Sequence, residues 1–220
     1  MSAMVDPANR LERRKRRTRA ALVKAAQRLI AEGKVNVPVL EITQAADVGM
    51  GSFYNHFDSK EQLFEAAVAD VLDAYGAMLD RLTESIEDPA EIFATSFRLT
   101  GRLFRRRPQE SRILLANGLQ LLSSERGLAP RALRDIQAGV AAGRFDVEDP
   151  ELALAMAGGA LLGLGNLLRD NPDRDDAGAA DLVTENVLRL FGLSADEARA
   201  ICQRPLPEDG FLEEISGSPR

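Results

Sequence analysis

The sequence predicts an all-α protein in which an N-terminal three-helix helix-turn-helix domain is joined by a long helix to a larger helical domain. Apolar residues recur at spacings of three and four along nearly the whole chain, whereas the alternation typical of strands is almost absent. Helix start and stop signals, such as Gly33 and Pro38, divide this pattern into segments. The charged residues also divide the chain into two parts. Residues 1–64 hold 11 Lys and Arg against 7 Asp and Glu, a balance of +4, and the remainder holds 17 against 27, a balance of −10.

The first three helices have the pattern of a helix-turn-helix unit. An amphipathic first helix carries Leu22 and Leu29 on one face and ends near Gly33. Two short helices, at about 39–46 and 50–57, follow it with a three-residue turn between them, which is the arrangement of that unit. The predicted core of the two short helices consists of Ile42, Ala45, Ala46, Val48, Phe53 and Phe57.

The remaining chain reads as a long helix followed by several others. Asp58 and Glu61 have the spacing of a capping box at the start of the long helix, and Ser194 and Glu197 have it again near the end. Helices are also predicted after Asp88, Pro108, Pro130, Asp149 and Asp175. We predict a disordered leader at 1–12, a helix-turn-helix DNA-binding domain at 13–60, a helical ligand-binding and dimerisation domain at 61–204, and a flexible tail at 205–220.

The composition argues against an enzyme or a metal protein. A single cysteine, Cys202, allows neither an intrachain disulfide nor a thiolate cluster, and a histidine-based catalytic triad or metal site would depend on His56 alone. We therefore expect no catalytic residues, no metal and no cofactor. The uncharged run Leu152–Leu168 is shorter than the ~20 residues of a membrane span and contains Asn166. We interpret it as a helix in a protein interface and expect a cytoplasmic protein with no membrane partner.

The second short helix presents side chains suited to DNA. Serine, asparagine and tyrosine can donate hydrogen bonds to phosphates or base edges, and a compact helix fits the major groove, which is about 12 Å wide. Gly49 and Gly51 lack a Cβ, so the backbone can approach the sugar-phosphate chain closely. The side chains predicted to be exposed there are Met50, Ser52, Tyr54, Asn55 and His56, with Lys60 beyond them placed to meet a phosphate. His56 has an alternative role, a hydrogen bond to the neighbouring backbone.

A run of basic residues, Arg13 to Arg19, precedes the first helix. Alone it would be read as a solvated, disordered leader. Beside a helix-turn-helix unit it indicates a flexible arm that reaches phosphates or an adjacent minor groove. We therefore include Arg16, Arg17 and Arg19 among the predicted DNA contacts.

The segment ITQAADVGMGSFYNHFDSKEQLF resembles the signature of the TetR family of bacterial regulators, and the similarity extends from Arg19 to Phe64. The resemblance implies a homodimer that binds double-stranded DNA at a palindromic operator. It also implies that Ser52, Tyr54, His56 and Lys60 touch DNA and that Met50 and Asn55 read its sequence. Pro38 replaces the usual threonine cap, and Asp47 and Gly49 depart from the usual turn residues.

For the second domain the resemblance implies a ligand pocket, whereas the residues alone are equally compatible with an ordinary core. Phenylalanines and leucines line helical faces with a few polar residues between them, as in a small-molecule site. The residues predicted to line it are Phe93, Phe97, Thr100, Phe104, Leu114, Asn117 and Gln120. Asn166 is either a ligand contact or an interface hydrogen bond.

The glycine-rich helix 152–168 is predicted to pair with 177–191 and their symmetry mates as a four-helix dimer interface. Its four glycines each weaken a lone helix by about 1 kcal/mol, so close packing across a two-fold axis has to offset them. The predicted function is a repressor released from its operator by a small apolar ligand through a population shift. The alternative is a constitutive dimeric DNA-binding protein without ligand control.

Overall fold

The computed structural model describes residues 7–207 except 109, 110, 113, 116, 117 and 119–123, and the regular structure in that part is α-helical. Its helices are α1 (Pro7–Ala31), α2 (Val39–Ala45), α3 (Met50–Phe53), α4 (Lys60–Leu82), α5 (Pro89–Arg106), α6 (Ala129–Ala141), α7 (Pro150–Asp170), α8 (Asp176–Leu190) and α9 (Ala195–Cys202). Most of the helix predicted after Pro108 lies outside the described residues. The chain forms two compact units, Met1–Val68 and Ala69–Arg220, and α4 contributes residues to both.

The first unit is built on the apolar face of α1. Leu22 and Ile30 of that face are buried, and Ile42, Phe53 and Phe57 bury their side chains in the same unit, as predicted. Among these, Phe53 lies 6.1 Å from Phe57, measured between ring centroids. The amphipathic spacing of the sequence therefore gives the core of the helix-turn-helix unit.

The prediction is wrong for one core residue of this unit. Ala45 is exposed, and Thr43 is buried instead with 1% of its surface accessible. Helical spacing puts Ala45 about 60° and Thr43 about 100° from Ile42, so spacing alone does not give this exchange, and Ala45 is the last residue of α2. The Ala45 carbonyl at the end of α2 accepts a hydrogen bond of 2.6 Å from Arg28 of α1.

Two helix boundaries differ from the prediction. α1 begins at Pro7, so residues 7–12 of the predicted disordered leader are helical. Proline suits the first turn of a helix, and the arginines and leucine that follow it favour helix. In contrast, α3 ends at Phe53, and residues 54–56 form a turn. The Phe53 carbonyl accepts from the amides of both His56 and Phe57, which tightens the chain before α4.

The turn between α2 and α3 relies on Asp47, which adopts a left-handed φ of 54°. Aspartate tolerates this conformation because its short side chain can bond locally. The turn is closed by the Val48 amide, which donates to the Thr43 carbonyl at 3.0 Å. Pro38 caps α2 without a side-chain hydrogen bond, as the sequence predicts.

The capping box of α4 lies one residue later than predicted. Ser59 Oγ accepts from the Gln62 amide at 3.1 Å, and Gln62 Oε1 accepts from the Asp58 amide at 2.7 Å. Ser59 and Gln62 therefore fill the roles assigned to Asp58 and Glu61, since both pairs have the same spacing. The second predicted box is present, because Ser194 Oγ accepts from the Glu197 amide.

The core of the second unit is a cluster of phenylalanines between α5, α6, α7, α8 and α9. The ring centroids of Phe93, Phe145 and Phe191 lie 5.1 to 5.9 Å from one another. Buried aliphatic residues such as Ile136 and Leu188 surround the three rings. Each ring buries a large apolar area, so the cluster contributes strongly to the packing of these helices.

Candidate nucleic-acid interface and effector cavity

The surface around α3 carries the side chains predicted to contact DNA. Met50 and Tyr54 are 47% and 60% exposed, and Asn55 is also exposed. Phe53 points the other way and is fully buried, so it anchors this short segment to the core. A Cβ added to Gly51 would meet no atom within 4 Å, so nothing within the protein requires glycine at this exposed position.

His56 and Lys60 flank this surface and are both partly exposed. Burial, together with the positive charges of Lys15 and Arg19, lowers the pKa of His56, so its ring is neutral at pH 7 and can serve as one donor and one acceptor. Lys60 Nζ donates to Asn36 Oδ1 at 2.8 Å, which fixes the amine beside the loop before α2. Arg19 lies 5.1 Å above the ring of Phe57, a cation–π contact.

The basic run is part of α1 rather than a flexible arm. We refer to four arginines spaced at i, i+3, i+4 and i+7 on this helix as the basic stripe: Arg10, Arg13, Arg14 and Arg17. The basic stripe forms one side of a groove whose other side is the turn at Ala46–Val48, directly before α3. Arg16 lies outside that groove. Helical structure therefore fixes the spacing of four positive charges beside the helix-turn-helix unit.

The second unit contains a small cavity of about 90 Å³. Most of its wall is apolar and comes from α4, α5, α6 and α7, and one end is charged. The lining residues are Leu79, Asp80, Phe93, Ser96, Phe97, Thr100, Leu128, Ala129, Arg131, Ala132, Asp135, Leu154, Ala157, Gly158 and Leu161. A largely apolar wall with a few convergent polar groups is the general character of a small-molecule site.

The charged end is a network between α4 and α6. Arg131 donates to Asp73 at 2.9 Å and to Asp80 at 3.0 Å, and Arg134 donates to Asp80 at 2.7 Å and to Asp135 at 2.8 Å. Burial raises the pKa of Asp135, although Arg134 opposes the shift. Burial alone would also raise the pKa of Asp80, but hydrogen bonds from Arg134 and Arg131 outweigh it and lower the value. The network therefore presents both donors and acceptors to the cavity.

The structure places some of the predicted ligand residues in this cavity and others elsewhere. Phe93, Phe97 and Thr100 line it, whereas Phe104 and Leu114 do not. Phe104 packs instead on α7, so closely that a Cβ on Gly165 would lie 2.5 Å from its ring.

Leu114 lines a neighbouring small space that shares four wall residues with the cavity. Asn117 and Gln120 lie outside the described residues. The amide of Asn166 donates to the Leu162 carbonyl of its own helix, and this residue does not line the cavity.

Sequence reasoning missed the charged end of the cavity. Asp80, Arg131 and Asp135 occupy positions that read as solvated charges on two separate helices. A pattern along one helix does not show which charges of another helix lie opposite. The available signal was the spacing of three carboxylates on α4 by one or two turns, at Asp70, Asp73 and Asp80.

α7 and α8 each leave an apolar row of side chains uncovered. We refer to these residues as the apolar stripe: Leu152, Ala155, Met156, Gly159, Gly163 and Leu167 of α7, with Leu182 and Leu190 of α8. A Cβ on Gly159 or Gly163 would meet no atom within 4 Å. In the described part of the chain α7 is the one helix long and apolar enough to span a membrane. A single helix of this length and composition also occurs in the core of soluble proteins, so it is weak evidence for a membrane span.

The fold and these two sites define a helix-turn-helix DNA-binding protein with a separate helical domain that contains a cavity. The model for bacterial regulatory proteins of the tetR family matches residues 22–67, and the model for the tetracyclin repressor-like C-terminal domain matches residues 88–204. The chain belongs to the TetR family of transcriptional regulators, which are not enzymes.

Similar proteins agree with this assignment. RolR in complex with resorcinol is 34% identical, with a TM-score of 0.70, and the match covers 90% of this chain and 98% of that one. The transcriptional repressor KstR2 of Mycolicibacterium smegmatis is 34% identical over 84 residues, which is 36% of this chain and 41% of that protein. The chain thus matches less than half the length of this curated relative. A tetR family regulator from Shewanella, 17% identical over 80% of this chain and 99% of that one, shares the fold with a TM-score of 0.62.

Proposed function

We propose that the protein is a cytoplasmic repressor that binds a palindromic operator as a homodimer and is released by a small hydroxylated aromatic molecule. The observation that carries the proposal is the small cavity, which combines phenylalanine walls with one charged end. In the constitutive alternative, which has no ligand control, occupation of the cavity would not change DNA binding.

The DNA contacts proposed are the residues expected from the sequence. The exposed positions from Met50 to Asn55 suit base edges in the major groove. Lys60, His56 and Arg19 suit phosphates, because they lie at the border of that surface and bear positive charge or a donor. Gly51 suits a close approach of the backbone, since it is exposed and no intramolecular contact limits it.

Gly51→Val tests this arrangement. No neighbour lies within 4 Å of the new Cβ, so we expect the melting temperature to stay within a few degrees of the wild type. The added side chain should hold the helix away from DNA and weaken operator binding by at least tenfold in fluorescence anisotropy. As a control, Ala138→Val alters an exposed residue of the second unit and should leave the operator affinity unchanged. Wild-type operator affinity in Gly51→Val would contradict the assigned surface.

The basic stripe gives a second test, through salt dependence. Each phosphate that a protein neutralises contributes about 0.9 to the slope of log K against log salt. Replacing the four arginines with alanine removes eight charges from a dimer. We expect the slope to fall by about 3 to 4 units if half of them contact phosphates.

The control for this test replaces four arginines of the second unit with alanine: Arg81, Arg112, Arg169 and Arg174. Its net charge equals that of the variant without the basic stripe. Its salt slope should equal that of the wild type. Equal slopes for both quadruple variants would remove the basic stripe from the DNA contacts.

A second copy of the chain is the proposed occupant of the apolar stripe. Soluble proteins rarely expose a contiguous apolar patch, and such patches mark interaction sites. Outward-facing Gly159 and Gly163 leave room for a close approach of another helix. A two-fold axis through this surface would bring the same residues of the two copies together. If the operator half-sites lie one turn of duplex apart, the two recognition helices have to be about 34 to 36 Å apart.

Leu182→Glu should convert the dimer to a monomer, because a dimer would then bury two uncompensated carboxylates. Analytical ultracentrifugation would report the mass. Operator affinity should fall together with dimerisation, since a monomer contacts one half-site. Ala138→Glu adds the same charge on α6 and should remain dimeric, and a dimeric Leu182→Glu would place the interface elsewhere.

The dimensions of the cavity favour a small ring compound. An apolar cavity of about 150 Å³ is known to hold benzene, so a cavity of about 90 Å³ has to widen to take a single ring and is too small for anything much larger. Phe93 and Phe97 offer aromatic faces, and the charged end offers partners for hydroxyl groups. The similarity to RolR, a structure of which contains resorcinol, supports a phenolic ligand.

Resorcinol is therefore the probe for effector control. Addition of resorcinol to the wild-type complex should weaken operator binding about 5- to 150-fold, the usual range of allosteric coupling. Ala132→Leu places extra carbons in the cavity and should weaken resorcinol binding at least tenfold in calorimetry, with operator binding retained. Ala138→Leu, on the same helix but exposed, is the matched control. Absence of any response in the wild type, to resorcinol and to other simple phenols, would favour the constitutive alternative.

A further inference from the structure

The cavity borders a second, smaller space of about 60 Å³, which we call the side chamber. Ala69, Leu72, Leu114 and Leu162 belong to the wall of the side chamber and not to that of the cavity. The wall is tightly packed where Gly118 meets Leu162, since a Cβ on Gly118 would lie 2.4 Å from Leu162 Cδ2. The side chamber is therefore a small and largely apolar space.

Four residues line both spaces, and we call them the shared wall: Leu128, Ala129, Gly158 and Leu161. Ala129 and Gly158 have little or no side chain, so the two leucines, which are half-buried, supply most of its bulk. A leucine side chain changes between staggered rotamers without a change of the backbone. Movement of two side chains is thus sufficient to join the spaces. Together the spaces of about 90 Å³ and about 60 Å³ reach the volume of about 150 Å³ at which an apolar cavity holds benzene.

The charged end and the side chamber lie at opposite ends of the cavity. Leu128 of the shared wall precedes the first turn of α6, and Asp135 of the charged end follows it by about 10 Å along that helix at 1.5 Å per residue. α4 has the same order, since Leu72 lines the side chamber and Asp80 lies about two turns further on at the charged end. A ligand with its polar groups at the charged end therefore directs its other end toward the side chamber.

We propose that the effector is a phenol with a short apolar tail: its hydroxyl groups bind at the charged end, and its tail displaces the leucines of the shared wall and enters the side chamber. The inference rests on the proposed function, because it narrows the class of the effector. The cavity alone has to widen even for a single ring, and the side chamber provides space in one direction. A molecule of liquid water occupies about 30 Å³, so a chamber of about 60 Å³ admits a chain of only two or three carbons.

The chemistry of the side chamber favours an apolar tail over an acidic one. Arg126 is part of its wall, but the guanidinium donates to Asp70 at 2.8 Å and to Asp73 at 3.1 Å. These two carboxylates already compensate the charge of Arg126. A carboxylate on the tail would lose its water without gaining an uncompensated cation, and burial of such a group is unfavourable.

Two propylresorcinols of identical composition test the direction of the tail. The chain of 5-propylresorcinol points away from both hydroxyl groups, whereas that of 4-propylresorcinol lies beside one of them. Burial of each methylene raises affinity about fourfold, and displacement of the shared wall offsets part of this gain. In calorimetry on the full-length dimer, we expect the wild type to bind 5-propylresorcinol at least tenfold more tightly than resorcinol, and 4-propylresorcinol no more tightly than resorcinol.

A matched pair of alanine-to-leucine variants locates the tail. Ala69 lines the side chamber but not the cavity, Ala132 lines the cavity but not the side chamber, and both are half-buried. Ala69→Leu should abolish the preference for 5-propylresorcinol while it retains the wild-type affinity for resorcinol. Ala132→Leu should weaken the binding of both compounds at least tenfold. The exposed control Ala138→Leu should bind both as the wild type does.

The outcomes separate this inference from the proposed function. If the wild type binds resorcinol but shows no preference for 5-propylresorcinol, or prefers both propyl isomers equally, the tail is wrong and the phenolic effector stands. If the wild type binds none of the three compounds, both are wrong. These comparisons need no substitution, so they decide the matter even if a variant does not fold. A wild-type preference retained in a folded Ala69→Leu would also overturn the assignment of the side chamber.

Discussion

The approach of an arginine to a helix backbone at Gly76 organises the part of α4 that lies in the second unit. Arg131 passes so close to the helix that any side chain at position 76 would displace it, and carboxylates one turn to either side neutralise its charge. The same guanidinium forms part of the cavity wall, so the packing of α4 on α6 and the shape of the cavity are not independent. A change in either has to be accommodated by the other, because close-packed interiors leave few alternative positions.

The helix-turn-helix unit was largely predictable from the sequence because its determinants are local. The burial of Ile42, Phe53 and Phe57 follows from helical spacing, and the left-handed turn follows from an aspartate that tolerates φ of 54°. The errors were also local. Asp58–Glu61 and Ser59–Gln62 compete for one capping role, and spacing alone does not decide between them. The basic run was read as a flexible arm, although its arginines are good helix formers and extend α1.

The cavity was predictable only on its α5 side. Phe93, Phe97 and Thr100 lie on one helical face, so their common direction is visible in the sequence. Whether Phe104 continues that face into the cavity depends on α7, where Gly165 lets its ring pack closely instead. The charged end depends on the position of α6 opposite α4, a contact between residues more than 50 positions apart. Tertiary placement of this kind has no signature in local periodicity.

Both partners of the ion pair between Arg131 and Asp80 line the cavity, and their accessibility bears on whether a small molecule is able to compete for their hydrogen bonds. Breaking a fully buried ion pair by removal of one partner costs about 3 to 5 kcal/mol, more than a pair of phenolic hydroxyls recovers. An exposed pair contributes about 0 to 1 kcal/mol and would transmit little. Arg131 at 24% and Asp80 at 36% exposure lie between these limits. Hydroxyl groups that each contribute about 1 kcal/mol net are then sufficient to redistribute the pairs. The resulting free energy lies in the range of about 1 to 3 kcal/mol that is typical of the coupling between two sites in allosteric proteins.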